Sequence, residues 1–264
     1  MPGAEQGSAR WAAIFVGGLV AMAALAPLIA PYAPDAVDLA VRRQAPSLTH
    51  WFGTDDLGRD VMTRVLHGAR VSLAIGLLAA ALSVALGTAV GLVAGFVRGA
   101  IDGVLMRLTD TMLAVPRLPL LMIVAAILTP SIPLLIVLVA GVGWMETARI
   151  VRAESMSLRE RGFVEAARAL GTRRPRLLVS HLLPNVSGIV IVSATLSVGR
   201  SILLESALSF FGVGVQPPAA SWGNMLYQAQ STMTSEPWLA LFPGLAIFAT
   251  TLLVNAAGER LANS

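Results

Sequence analysis

The sequence predicts an all-α membrane protein with six transmembrane helices. Of its 264 residues, 56% are hydrophobic and only 13% are charged, which leaves too little polar surface to cover a water-soluble globule. The apolar residues fall into runs of roughly twenty, the length that a helix needs to cross the hydrocarbon core of a bilayer. Because these runs do not alternate apolar and polar positions, they predict helices and not the strands of a membrane barrel.

The first predicted span is residues 11–30, which follow a short polar segment at residues 1–10 and end before Pro31 and Pro34. A cleaved signal peptide is the alternative interpretation of this run. Its amino-terminal region holds only Arg10, and Pro27 directly follows the one suitable small-residue cleavage site. These features favour an uncleaved first transmembrane helix.

The next three spans are predicted at residues 71–97, 105–128 and 134–151. The first of these is rich in glycine, which lets neighbouring helices approach closely. All 19 basic residues are arginine, and arginines in loops favour the cytoplasm. Since arginines precede the third span and follow the fourth, the chain must cross the membrane twice between them. We therefore expect an outside turn at residues 130–133.

The last two spans are predicted at residues 186–206 and 238–257. The loop between them, residues 208–237, contains no arginine, whereas residues 152–176 contain seven. This asymmetry places the Arg-rich loop, residues 152–185, and both termini in the cytoplasm, with residues 259–264 as the cytoplasmic tail.

The Arg-rich loop is predicted to form two short helices. Ser157 and Glu160 have the spacing of a capping box, which would begin the first helix. Gly171 would end that helix, because glycine readily adopts the left-handed terminating conformation. A second helix would follow, with Pro175 in its first turn and Pro184 near its end. One apolar stripe of the first helix is formed by Phe163, Ala166, Ala167 and Leu170.

Two short helices joined at a glycine also describe a helix-turn-helix. However, some thirty residues tethered at both ends to membrane helices cannot build the core that holds a recognition helix, so no nucleic-acid partner is expected. A solvated basic loop on anionic membrane lipid is a second alternative. The small alanines instead favour docking into a groove of another protein.

The segment Glu165-Ala166-Ala167, followed by Gly171 and by Leu183-Pro184, resembles the EAA motif of binding-protein-dependent ABC importers. The resemblance implies a type I ABC importer permease fold, in which this loop carries a coupling helix that docks into an ATP-hydrolysing subunit. His181 lies where the general motif often has an aliphatic residue, but His-x-Leu-Pro-Asn is common in the peptide branch, so no catalytic histidine is expected. The residues implied in coupling are Ser157, Glu160, Glu165, Ala166, Ala167 and Gly171.

A second resemblance points to one branch of this importer family. The segment Trp51–Val61 and the following Gly68–Leu73 resemble the signature after the first span of dipeptide, oligopeptide and nickel permeases. The resemblance extends over nearly all of residues 51–258 and is closest to the second, C-type permease of such operons. Three further sets of segments match the branch: Ser157–Arg161 with Val164–Arg168, Leu208–Gly214, and Gln216–Pro218 with Ser221–Gly223.

The family implies a complex in the bacterial inner membrane. Its other members would be a homologous second permease, two ATP-binding subunits or one fused ATPase chain, and an extracytoplasmic substrate-binding protein. ATP and magnesium would bind to the ATPase partners, because a Walker-type phosphate-binding sequence requires a lysine and this chain has none. No catalytic residue, metal site or cofactor is expected on this chain.

Charged residues within or beside the predicted spans are energetically costly and need partners or water. They are Asp110, Arg117, Arg149, Arg200 and Glu205. Asp110, Arg117, Arg200 and Glu205 are candidates for the translocation path, and the carboxylates of Asp110 and Glu205 could meet a substrate ammonium. The alternative is pairing between helices or snorkelling at the membrane edge.

The loops predicted on the outside hold candidates for docking of the binding protein. They are Asp55, Asp56, Arg59, Asp60 and Trp222. The alternative is that these residues shape turns at the membrane interface.

The expected function is import of dipeptides or oligopeptides by alternating access driven by the ATPase partners. Nickel chelates or haem-type solutes are alternative cargoes in the same family. A stand-alone ion-coupled carrier that uses Asp110 and Glu205 is a weaker alternative, because six spans are few for such carriers and no clear internal repeat is present. A non-transporting membrane scaffold is weaker still.

Overall fold

The computed structural model describes residues 25–262, together with residues 17, 18 and 21. Apart from one isolated bridge between Thr54 and Asp60, these residues form helices, turns and loops, which confirms the all-α fold class. A helix at residues 25–29 and a short 3-10 helix, Leu39–Val41, precede the main bundle. The bundle helices are α1 (Val61–Val97), α2 (Gly99–Ala114), α3 (Arg117–Ile127), α4 (Ile132–Arg159), α5 (Gly162–Ala169), α6 (Arg174–Leu177), α7 (Leu183–Phe210), α8 (Trp222–Ala229) and α9 (Trp238–Ala262).

Four helical segments are long and apolar enough to cross a membrane: α1, α4, the segment Arg174–Phe210 that includes α7, and α9. Helices α2 and α3 meet at a bend of 85° and would make a fifth span if they cross together. The predicted N-terminal segment and most of the first predicted span, residues 11–30, lie outside the described residues. The described part of the chain therefore accounts for four or five of the six predicted spans.

The spanning helices are longer than the hydrophobic runs alone predicted. Helix α1 begins at Val61, ahead of residue 71, because the carboxylate of Asp60 caps it and accepts a hydrogen bond from the Thr63 backbone N–H at 2.8 Å. Helix α4 continues past residue 151 to Arg159, and α7 extends to Phe210. Polar residues at a helix end do not stop a helix that already has packing partners.

The predicted third span, residues 105–128, is not one straight helix. It breaks at Val115 and Pro116, and both residues have extended backbone angles. Proline lacks an N–H group and disfavours the helical conformation of the residue before it. Arg117 then begins α3 at a steep angle to α2.

The centre of the bundle is the close approach of α1 and α4. A Cβ atom added at Gly87, Gly91 or Gly95 would lie 2.4–2.6 Å from a backbone carbonyl oxygen of α4. Only glycine fits at such distances. The three glycines, each four residues after the last, therefore allow α1 and α4 to pack backbone against backbone. The predicted packing role of these glycines in the second span is confirmed.

The bundle has two ends of different composition. The arginine end comprises residues 96–98 and 152–182, where Arg159 Nη1 donates to the Phe96 carbonyl oxygen at 2.7 Å. The signature end comprises residues 31–61 and 211–238. Ile132, which begins α4, lines one surface cavity with Pro34 and Pro218 of the signature end. Arg98 and the Arg-rich loop thus lie together at one end of the bundle, and the turn before Ile132 lies at the other.

Candidate functional site

The core of the candidate site is α5, a helix of eight residues at the arginine end. Gly171 has a φ of +79° and follows its last residues. The N–H of Gly171 donates to the Arg168 carbonyl oxygen at 2.9 Å, and the N–H of Thr172 donates to the Ala167 carbonyl oxygen at 3.1 Å. These two bonds form a Schellman motif, so the predicted end of the helix is confirmed.

Helix α5 has one buried face and one exposed face. Val164 and Ala167 are buried, in a cluster that includes Leu92, Val151 and Leu182. Phe163, Glu165, Ala166 and Leu170 are exposed. The predicted apolar stripe is therefore wrong for Ala167, which anchors α5 to its own chain, while Phe163, Ala166 and Leu170 remain accessible.

The predicted capping box is also wrong. Ser157 lies in the last turns of α4, and α5 begins only at Gly162. Leu158 is buried against the bundle, and packing of this turn prolongs α4 beyond the point where the local pattern predicts a new start. Glu160 instead pairs with Arg98 of the α1 end, with Nη2 and Oε1 2.5 Å apart. Ser157 and Glu160 therefore belong to the end of α4, and neither begins the docking helix.

After the turn at residues 170–173, the chain continues as one helical segment, Arg174–Phe210. Helix α6 passes through a π-helical turn, Leu178–Leu182, directly into α7. Pro184 lies in the first turn of α7, where its missing N–H disturbs only the junction. The second helix of the loop thus continues through Pro184 as the spanning helix, so a displacement of α5 has a short path into α7.

The candidate path residues form ion pairs between helices. Glu146 of α4 pairs with Arg117 of α3 at 2.7 Å and also with Arg200 of α7. Arg149 of α4 pairs with Asp110 of α2 at 2.5 Å, and both side chains are about half exposed. These charges have the interhelical partners that the alternative interpretation required, yet they remain accessible from outside the chain.

Glu205 differs from the other path candidates because its side chain is completely buried. Ser209 Oγ donates to Oε1 at 2.8 Å, Ser206 Oγ donates to Oε2 at 3.4 Å, and the side chains of Ser72 and Ser221 lie near the carboxyl group. The carboxyl group therefore joins α7 to α1 and to the start of α8. In this conformation Glu205 cannot meet a substrate ammonium, which corrects that prediction.

Most docking candidates at the signature end are buried. Asp55 accepts from Arg59 Nε at 2.7 Å and lies 3.7 Å from Arg64 Nε. Asp60 caps α1, and its Oδ1 lies 3.0 Å from His50 Nδ1. Asp55, Arg59 and Asp60 therefore hold the loop together, whereas the side chain of Asp56 is 55% exposed and remains available to a partner.

Trp222 is also buried, with 3% of its surface exposed. Its indole N–H donates to the Val65 carbonyl oxygen at 3.0 Å, and its backbone N–H donates to Ser72 Oγ at 3.2 Å. Trp222 attaches α8 to α1, so the turn-shaping alternative describes this residue better than docking does.

Two known families match parts of this chain. Residues 87–264, which contain the end of α1 and every later helix, match the family described as binding-protein-dependent transport system inner membrane component. The chain belongs to this permease family. Residues 7–46 of the permease match a second family, the N-terminal TM domain of oligopeptide transport permease C.

Several curated relatives support the assignment. A Brucella suis biovar 1 protein named as a peptide permease is 42% identical over 237 residues, which cover 89% of this chain and 78% of the relative. The glutathione transport system permease protein GsiD of Shigella flexneri serotype 5b is 43% identical over 258 residues, 97% of this chain and 85% of the relative. GsiD of Escherichia coli O6:K15:H31 is 40% identical with the same coverage.

Sequence reasoning missed Glu146, the carboxylate that pairs with both Arg117 and Arg200 of this permease. Glu146 lies within an apolar stretch of α4, three residues before Arg149, and its two arginine partners come from distant helices. A carboxylate within a predicted span indicates a partner, and this signal was present. Among the described residues, no group of three His, Asp or Glu side chains is arranged to hold a metal ion.

Proposed function

We propose that this chain is one of two transmembrane subunits of an ATP-driven peptide importer, and that α5 is its coupling helix. The observation that carries the proposal is the division of α5 into two faces. Val164 and Ala167 attach the helix to the membrane bundle, while Phe163, Glu165 and Ala166 remain exposed. Small side chains beside an exposed aromatic ring suit insertion of a helix into a groove of another protein.

The mechanism we propose is alternating access. ATP binding would close the two ATPase subunits, and α5 would move with the groove that holds it. Because α5 packs in one cluster with residues of α1, α4 and the segment that leads into α7, its displacement would be passed to three spanning helices. Hydrolysis would reset the bundle to the inward-open arrangement.

The orientation follows from the same assignment. The arginine end would face the cytoplasm, where the ATPase partners bind ATP and magnesium. The signature end would face outward and meet the substrate-binding protein, with Asp56 as one of its accessible acidic residues. A homologous permease would complete the channel, and both termini of this chain would be cytoplasmic.

The cargo is proposed from the relatives, which are named as peptide and glutathione permeases. Asp110 with Arg149, and Glu146 with Arg117 and Arg200, offer accessible groups of both signs to a zwitterionic peptide. Nickel chelates and haem-type solutes remain alternative cargoes. No observation favours a stand-alone carrier, because Glu205 is enclosed and Asp110 is already paired.

The experiment is charge reversal of Glu165 in the assembled and reconstituted complex. The variant Glu165→Arg should retain membrane insertion and assembly with the second permease, because its side chain is exposed. It should lose most substrate-stimulated ATP hydrolysis and uptake, since a docked interface tolerates like charges poorly. Both rates are measured in the same proteoliposomes.

The matched control is Glu259→Arg. Glu259 is also an exposed glutamate, but it lies near the end of α9 and outside α5. It should leave ATPase stimulation and uptake close to those of the unmodified complex. Normal coupling in Glu165→Arg would contradict the assignment of α5 as the coupling helix.

A further inference from the structure

A cleft of about 290 Å³ lies at the arginine end, beside α5. Phe96 at the end of α1 and Leu177 of α6 form apolar walls. Arg159 of α4, Arg168 of α5, Arg174 of α6 and the turn residue Thr172 supply the polar side. Residues of α1, α4, α5 and α6 thus meet around one opening.

The arginines of this cleft are gathered around one aromatic ring. The guanidinium carbon of Arg168 lies 4.9 Å from the centroid of the Phe96 ring, and that of Arg159 lies 5.9 Å away. Such contacts orient a planar guanidinium group without neutralising its charge. The two side chains are therefore held beside the ring, and their N–H groups other than Arg159 Nη1–H, which donates to the Phe96 carbonyl oxygen, remain available for an anion.

The charge around the cleft is not balanced by the chain itself. The groups that act electrostatically on Arg159 are Arg98, Arg168, Arg174 and one acid, Glu160. Glu160 is already paired with Arg98 at 2.5 Å. Within residues 25–262, none of the three cleft arginines has a carboxylate at ion-pair distance. An anion with several acceptor oxygens would offset the repulsion among them.

We propose that this cleft binds the phosphate group of an anionic phospholipid. Guanidinium groups recognise phosphate through paired N–H donors, and Thr172 adds a hydroxyl. The apolar walls formed by Phe96 and Leu177 favour a lipid over free phosphate, because they would cover the glycerol and the first methylene groups. The cleft also lies at the end of α1, a helix long and apolar enough to cross a membrane.

A bound headgroup would connect the end of α1 to the turn after α5. Anionic lipid would thereby hold the coupling region in one arrangement and regulate how strongly ATP hydrolysis drives the membrane helices. This regulatory effect rests on the proposed function of α5, whereas the binding of lipid in the cleft does not.

The test uses the absence of cysteine from this chain. A Thr172→Cys variant carries one thiol in the cleft, and the assembled complex is placed in nanodiscs of phosphatidylcholine alone or mixed with phosphatidylglycerol. The rate of alkylation of this chain by N-ethylmaleimide is measured in each. Phosphatidylglycerol should slow the reaction, because the headgroup covers the thiol.

Removal of one cleft arginine should weaken that protection. The Arg174→Gln variant of the reporter should require about five-fold more phosphatidylglycerol for equal protection. One surface arginine increases the affinity for anionic lipid by about this factor. Arg176→Gln removes an exposed arginine of the same helix that does not line the cleft, and it should retain full protection. Basal ATP hydrolysis of each complex checks its assembly.

Three results would overturn the proposal. Equal alkylation rates in the two lipid mixtures, or equal protection in the Arg174→Gln and Arg176→Gln reporters, would show that the cleft does not bind the headgroup. Protection by inorganic phosphate in phosphatidylcholine nanodiscs as strong as that by phosphatidylglycerol would assign the site to free phosphate. The labelling requires no ATP, so a failure of the proposed coupling role would leave its outcome unchanged.

Discussion

The charged cluster around Asp55 at the signature end and the arginines of the arginine end differ in how far they are exposed and paired within the chain. At the signature end, Asp55 and Arg59 are each less than 10% exposed, and Asp55 contacts both Arg59 and the buried Arg64 in the adjoining first turn of α1. At the arginine end, Arg173, Arg174 and Arg176 are exposed, and the Arg98–Glu160 pair is open to solvent. The first arrangement stabilises the chain itself, while the second leaves charge available to other molecules.

This difference changes the meaning of the two sequence motifs. The signature from Trp51 to Val61 narrows the family most sharply, yet its charged residues mainly form the internal structure of a loop. The EAA-type segment is less specific as a pattern, but its glutamate and one of its alanines are exposed on α5. A motif can therefore identify a family through residues that never contact a partner.

The largest expected contrast is between two adjacent aspartates of the signature end. Asp55→Ala should cost about 3–5 kcal/mol of folding free energy, because it leaves Arg59 and Arg64 buried without their partner. Asp56→Ala should cost less than about 1 kcal/mol, since its carboxylate is largely exposed. Thermal unfolding midpoints of the purified complexes measure both, and equal losses would contradict the division between buried and exposed charge.

A smaller contrast compares one glycine from each end. Gly58 and Gly171 have φ angles of +74° and +79°, so alanine at either position should cost about 1–2 kcal/mol. At Gly58 the added Cβ would also lie 1.7 Å from the Asp38 carbonyl oxygen, whereas at Gly171 it would meet nothing within 4 Å. The overlap should add about 1–3 kcal/mol to the loss in Gly58→Ala.

The same unfolding assay separates these two glycine variants. A Gly171→Ala complex as unstable as the Gly58→Ala complex would show that the arginine end is packed as tightly as the signature end.

The smallest expected effect concerns the exposed ion pair at the arginine end. Glu160→Ala should change folding stability by less than about 1 kcal/mol, because solvent screens its contact with Arg98. Raising the salt concentration should reduce even that difference. A loss comparable to that of Asp55→Ala would mean that the arginine end depends on internal charge pairing after all.

Local patterns predicted those features that depend on nearby residues. The end of α5 at Gly171 follows from the freedom of glycine at positive φ, and the close packing of α1 against a neighbouring helix follows from its glycines. The position of the arginines together at one end follows from their clustering between hydrophobic runs. Each of these features is settled by a backbone requirement or a periodic pattern that a single sequence displays.

Features that depend on distant partners were not predictable in the same way. Ser157 and Glu160 match a capping box, but the burial of Leu158 and the pairing of Glu160 with Arg98 keep this turn in α4. The enclosure of Glu205 requires Ser72 and Ser221 from other parts of the chain. The break in the third span did have a local signal, Pro116.

The most direct test of the account asks which partner each end contacts. Because the chain lacks cysteine, single thiols at Ala166→Cys and Asp56→Cys can each carry a benzophenone crosslinker in the assembled complex. We expect light to join Ala166→Cys to the ATP-binding subunit and Asp56→Cys to the substrate-binding protein. An Ala166→Cys probe that yields no ATPase adduct in a complex that hydrolyses ATP would contradict the central claim that α5 couples the two.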